Sequence, residues 1–176
     1  MKKILRYPAL FLYYFILKLL PHSTFPVFGP IIERAKEYCC KLIFKHCGNN
    51  VNIGKNAVFG NGKNIVIGNN SGIGMNAKVP SNLIIGNDVM MGQNVTIFGA
   101  NHAFDRVDIS MLWQGYKTYP AVVIEDDVWI GSNVIILPGR TIKKGSIIAA
   151  GTVLTKDFPE YSIVGGNPSR LIKSRI

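Results

Sequence analysis

The sequence predicts an all-β solenoid, a parallel β-helix preceded by an N-terminal α-helical segment, and three observations predict it. From residue 53 onward, aliphatic residues recur at every sixth position, often followed by glycine. A second, smaller side chain stands four residues after each of them. Ahead of the repeat lie two apolar stretches whose spacing is helical instead.

A chain of 176 residues holds one main domain with an appendage. With 48% hydrophobic and 17% charged residues and a mean hydropathy of +0.21, it is globular and not disordered. Residues 1–50 form the appendage, 51–172 the solenoid with a loop at 98–123, and 173–176 a tail. The net charge of +10 is compatible with nucleic acid, an anionic membrane or a phosphate-bearing small molecule. Its location discriminates: Lys2, Lys3, Arg6, Lys18, Arg34, Lys36, Lys41 and Lys45 face only Glu33 and Glu37 within the first fifty residues. These cations are mixed with apolar residues and no nucleic-acid module is present, so no nucleic-acid partner is expected.

Within the appendage, Ala9 to Leu20 is an apolar run interrupted by Lys18 and closed by Pro21. It is shorter than the ~20 residues that cross a bilayer as a helix. The HSTFPVFGP stretch that follows has no small-residue cleavage site, which argues against a secretory signal. From Pro30 to Cys47, Ile31, Ile32, Ala35, Tyr38, Cys39, Leu42, Ile43 and His46 recur at helical spacing, opposite most of the charges. Two roles stay open for residues 1–50: peripheral association with a membrane surface, or capping of the solenoid's open end or a neighbouring subunit. Cys39, Cys40 and Cys47 are odd in number and lack paired ligand spacing, so a reduced cytoplasmic chain is expected, at the inner face of the membrane if the segment binds lipid. A metal site at these cysteines and His46 can be drawn, but adjacent cysteines on an amphipathic helix usually pack, and no metal is expected.

The aliphatic register is Ile53, Phe59, then after two extra residues Ile67, Ile73, Val79, Ile85, Met91 and Ile97, resuming at Ile124, Ile130, Ile136, Ile142, Ile148 and Leu154. The smaller register includes Ala57, Ser71, Ala77, Val89, Val95, Val128, Val134, Ser146 and Thr152, with Leu83 and Arg140 departing from it. Neither a 3.6-residue nor a two-residue period produces this pattern. Stacked triangular coils do: each hexad is one short strand and one corner, the aliphatic position points inward, and the small one fits beside the corner. Glycine and asparagine adopt the corner conformations cheaply, and hexad repeats are a β-helix signature.

This repeat resembles the hexapeptide-repeat transferase superfamily over about residues 51–172. The resemblance implies a left-handed β-helix, an exception to the right-handed crossover rule, and a homotrimer with active sites in the clefts between subunits.

The hexad pattern breaks between Ile97 and Ile124, and a long excursion from a rigid scaffold is where sites are built. His102 begins it and is the one histidine of the repeat domain. An imidazole can take a proton from a sugar hydroxyl and return one to a departing thiolate. Asn101-His102-Ala103-Phe104-Asp105, with Asp108 to Met111 and Gln114-Gly115, is similar to the acceptor loop of sugar O-acetyltransferases of surface-polysaccharide biosynthesis. That likeness implies His102 as catalytic base, with Asn101, Asp105 and Gln114 orienting its ring or the acceptor, or serving as turn residues. Ser110 stands where such loops often carry proline.

Downstream, Asp127 to Val134, Ile148 to Asp157 and Gly166-Asn167-Pro168-Ser169-Arg170 resemble the last coils of CoA-dependent acetyltransferases. The likeness implies acetyl-CoA as donor and Trp129, Gly131, Ser132, Ala150, Thr155, Lys156, Arg170 and Lys173 as its contacts. Backbone N–H groups near Gly131 and Ser132 would face the oxyanion. The implied acceptor is a sugar, free or part of a surface glycan or its lipid-linked precursor. Two alternatives remain: N-acetylation of an amino sugar, and a non-enzymatic membrane-associated β-helix scaffold. The γ-type carbonic anhydrases share a similar prism but need three metal-binding histidines, and this repeat domain has one.

Overall fold

Each hexad folds into a two-residue strand and a corner, and the strands stack in parallel into three faces. The computed structural model describes residues 2–20 and 28–176. On the first face the ladder runs from His46–Cys47 through Val66–Ile67, Ile84–Ile85 and Val123–Ile124 to Thr141–Ile142. The second face carries Asn52–Ile53 on Gly72–Ile73, and Met90–Met91, Trp129–Ile130, Ile147–Ile148 and Ser162–Gly165 further along. The third carries Thr96–Ile97, Ile135–Ile136 and Val153–Leu154.

The register measures the coil. Val66 pairs with Ile84 and Trp129 with Ile147, eighteen residues or three hexads apart. Val66 pairs back to His46 at twenty, which absorbs the two extra residues after Phe59. Met90 pairs with Trp129 at thirty-nine, so the excursion inserts twenty-one residues and leaves the coils on either side in register.

Both registers face inward. Ile67, Ile85, Ile124, Ile130 and Ile136 are fully buried, as are Ala57, Ala77, Val95, Val134 and Thr152. The smaller residue therefore lies inside the prism, two positions before the next aliphatic, and is not confined to the corner rim. Leu83, off-pattern by size, is buried as well. Corners are held by left-handed residues whose side chains form ladders between coils. Asn56, Asn76, Asn94 and Asn133 all have φ between 55° and 59°, and the Nδ2 of each of the first three donates to the Oδ1 of the next at 3.0–3.2 Å. Coil stacking is closest at the glycine corner: a Cβ on Gly74 would stand 1.9 Å from the Gly92 carbonyl oxygen, a position only glycine can fill.

The N-terminal segment caps the open end. Helix α1 (Lys2–Phe15) carries a short 3₁₀ turn after it (Leu17–Leu19), and helix α2 (Gly29–Ile43) packs against α1. Tyr13 is fully buried against Phe59, and its hydroxyl donates to the Ala57 carbonyl at 2.9 Å. Burial pushes that phenol's pKa well up. Tyr14 donates to the Gly60 carbonyl, and Arg6 reaches the carbonyls of Ile43 and Asn61. The packing alternative for residues 1–50 is thus realised on one side of α1.

Two boundaries differ from expectation. The second helix ends at Ile43, where Phe44 turns inward and becomes buried, so His46 and Cys47 form the first strand ahead of residue 51. The last strand, Arg170–Ser174, turns back antiparallel on Ser162–Gly165 and runs into the expected tail. Pro21 and the stretch expected to lack a cleavage site lie largely at 21–27, outside the described residues. Among the described residues no helix is long and apolar enough to cross a membrane, and no cluster of His, Cys, Asp or Glu could hold a metal ion.

Candidate active site

Because the excursion leaves the third face after Ile97 and rejoins the first at Val123, it projects from one edge of the prism. It is a hairpin in which Ala100–His102 pairs antiparallel with Tyr116–Thr118. His102 lies directly across from Tyr116, and the two rings are in contact at 4.5 Å between centroids, their planes tilted by 31°. The imidazole is exposed, supported on one side by an aromatic face.

Asn101, Asp105 and Gln114, expected to orient His102 or the acceptor, make these contacts within the chain. Asp105 pairs with Lys117 at 3.4 Å, and Asn101 is the cross-strand partner of that same lysine. Gln114 clasps the loop: its Oε1 accepts from the Arg106 N–H at 3.1 Å, and its Nε2 donates to the carbonyls of Arg106 and Ile109 at 2.8 and 3.1 Å. Ser110, whose backbone at φ −58° takes the conformation proline would fix, caps the 3₁₀ turn Met111–Trp113 with its hydroxyl. Arg106 and Asp108 form a forked pair at the loop surface, and the guanidinium holds the Asp108 carboxyl below the usual carboxylate range. Phe104, Val107, Leu112 and Trp113 are all exposed in the single chain.

The donor candidates divide between edges. Trp129, Gly131, Ser132 and Ala150 line one groove of about 410 Å³, with Gly92, Ile147, Ile148 and Ala149, on the second face and the edge leading to the third. Trp129 is half exposed there. Arg170 closes the same edge, since it pairs with Gly165 next to Ala149. Lys173 pairs with Ile163 further along the strand. Thr155 and Lys156 follow Leu154 on the edge from which the hairpin departs. The Thr155 hydroxyl lies 3.2 Å from that of Ser169, and the Lys156 ammonium sits over Phe158.

One expected oxyanion donor is unavailable. The Gly131 N–H donates to the Ile148 carbonyl at 2.8 Å as part of the coil ladder, whereas the Ser132 N–H takes part in none of the hydrogen bonds among the described residues. No residue of the excursion lines the groove, so within one chain the imidazole and the groove stand on different edges. A wider hollow of about 490 Å³ lies on the N-terminal half of the second face, where Gly72 is the outward residue between Asn52 and Met90. A glycine in an outward strand position was the available signal for that hollow. The Tyr116 contact had none, because its pairing depends on the hairpin register.

The profile described as "Bacterial transferase hexapeptide (six repeats)" matches residues 64–99 and 121–156, two blocks separated by the excursion. The galactoside O-acetyltransferase of Escherichia coli K12 is 33% identical over 140 residues, 78% of this chain and 68% of that protein. The chain belongs to the hexapeptide-repeat acetyltransferase family. It is an acyltransferase by that membership. A solved hexapeptide-repeat acetyltransferase from Vibrio cholerae complexed with acetyl coenzyme A is 31% identical, covers 98% of this chain and 87% of that one, and superposes with a TM-score of 0.74. A maltose O-acetyltransferase from Clostridium difficile is 29% identical over 98% and 87% of the two chains, with a TM-score of 0.76. Agreement over nearly the whole length extends to the helical cap and means that the coils wind in the sense of these acetyltransferases.

Proposed function

We propose that this acetyltransferase moves an acetyl group from acetyl-CoA to a sugar hydroxyl, with His102 as general base, in a site completed between subunits of a homotrimer. The observation that carries the reading is the display of the repeat domain's one histidine, in contact with Tyr116, on the single excursion from the coil. The names of the galactoside and maltose O-acetyltransferases favour a hydroxyl acceptor, and the acetyl-CoA complex favours that donor. The separation of imidazole and groove, together with the exposed apolar tip of the hairpin, supports a neighbouring chain as the source of the missing half.

In the reaction, His102 accepts the hydroxyl proton as the acceptor oxygen attacks the thioester carbonyl. The carbonyl oxygen becomes an oxyanion, for which the Ser132 N–H is a candidate donor in the groove. Collapse breaks the C–S bond, and the imidazolium returns its proton to the CoA thiolate. Trp129, Gly131 and Ala150 would flank the pantetheine arm, with Arg170 toward the phosphates, while Lys156 and Lys173 approach from adjoining edges. Thr155 positions the C-terminal turn through Ser169. A surface glycan or its lipid-linked precursor fits an acceptor presented at the membrane next to the helical cap.

Release of CoA thiol with galactosides, maltose and lipid-linked glycan intermediates tests this. His102→Ala should lower kcat by about 10²–10⁴-fold without moving the melting temperature or the sedimentation coefficient. Turnover that survives the substitution refutes the assignment.

A further inference from the structure

The side of α1 turned away from the solenoid is apolar and unpartnered. Ala9, Tyr13 and Leu17 face the first coil and are buried, whereas Ile4, Tyr7, Phe11, Phe15 and Leu19 are each more than half exposed. The spacing of Ile4, Tyr7, Phe11 and Phe15, three to four residues, aligns them in one stripe along the helix, and Leu19 follows in the 3₁₀ turn beyond it. A water-facing helix surface ordinarily carries charge; here Arg6 is turned inward to the carbonyls of Ile43 and Asn61, and Lys18 lies over the Tyr14 ring at 5.4 Å. From Met1 to Ile32 the chain contains Lys2, Lys3, Arg6 and Lys18 and no Asp or Glu.

We propose that this stripe seats the enzyme on an anionic lipid surface, with α1 lying in the headgroup plane. A helix of 14 residues is about 21 Å long, which suits an in-plane position and not a crossing. The charge balance selects lipid over a second copy of the chain: residues 1–32 carry four cations and no acid, so two such segments brought together would repel, whereas an anionic leaflet supplies the counter-charge. The seat also sets the height of the chemistry. The third-face ladder runs from Val58 through Lys78 to Thr96, next to which the catalytic hairpin departs. Two inter-strand spacings place that departure about 10 Å above the coil that α1 caps, so a sugar carried on a membrane lipid comes within reach of His102. This last step rests on the O-acetyltransferase reading; the lipid seat itself does not.

Flotation of the full-length protein with vesicles of phosphatidylcholine alone, or with phosphatidylglycerol added, tests the seat. Wild type should partition onto the anionic vesicles about tenfold or more in excess of the neutral ones, with the excess reduced by salt. The double variant Phe11→Asp, Phe15→Asp, which alters two exposed side chains, should lose about tenfold or more of that binding while keeping its melting temperature and its turnover with soluble sugars. The proposal is overturned if wild type does not float, if the variant floats equally well, or if the variant changes only the sedimentation coefficient, which would make the stripe a contact between copies. Normal turnover without flotation sinks the seat alone; flotation without turnover on any acceptor sinks the enzymatic reading alone.

Discussion

Gln114 separates two roles that a contact list would merge. Its three hydrogen bonds tie Arg106 and Ile109 to the end of the 3₁₀ turn, and the surrounding loop is too exposed to replace them with packing. At the lower end of the net worth of a hydrogen bond, three together hold the clasped loop by about 1.5 kcal/mol, roughly tenfold in the ratio of clasped to open forms. Gln114→Ala should therefore leave the global melting temperature in place but populate open loops, lowering kcat about three- to tenfold with the acetyl-CoA KM unchanged. Gln114→Glu keeps an acceptor for the Arg106 N–H and loses both donated bonds, so it should fall between wild type and alanine. Steady-state kinetics with both substrates, paired with amide exchange of residues 104–114, reads the effect. If the acceptor KM rises alone while kcat and exchange stay as in wild type, Gln114 binds acceptor and the clasp argument is wrong.

The coil stacking and its electrostatics give two further tests. Gly74→Ala must push the next coil away from the Gly92 carbonyl and should cost about 2–4 kcal/mol, whereas Gly151→Ala meets no neighbouring atom and only has to hold φ +73°, at about 1 kcal/mol; thermal unfolding that ranks them the other way refutes the stacking account. Glu125 accepts from Lys143 at 2.9 Å, and that bond depresses its carboxyl pKa. A depressed acid contributes stability above its unfolded pKa and loses it as pH falls through the folded one. The melting temperature of wild type should accordingly drop more steeply between about pH 5 and about pH 3 than that of Glu125→Gln; parallel curves would leave the ion pair without energetic effect.

The prism was legible because its constraint is strictly periodic. An interior three strands wide admits one aliphatic and one smaller residue per hexad, so Ile130 and Val128 announce their burial by position alone. The insertion was legible for the same reason, as the one long interval where the period fails, the two extra residues after Phe59 being absorbed within a coil. Within it the sequence lost resolution, because no burial fixes which side chains meet: Tyr116 and His102 are brought together by an antiparallel register that leaves no periodic trace, and the bonds from Gln114 to Arg106 and Ile109 leave none either. The candidate donor contacts come from the motif resemblance and are divided by geometry, since residues near in sequence, such as Ala150 and Lys156, lie on different edges once each hexad turns a corner. The helical cap shows the complementary limit. From Pro8 to Phe15 α1 carries no charged residue, and only the fold distinguishes the side chains that cover Phe59 from those left for another surface. Hydropathy reports that a side chain leaves water but not what it meets, so the solenoid accounts for one side of such a helix, and the proposed lipid seat would account for the other.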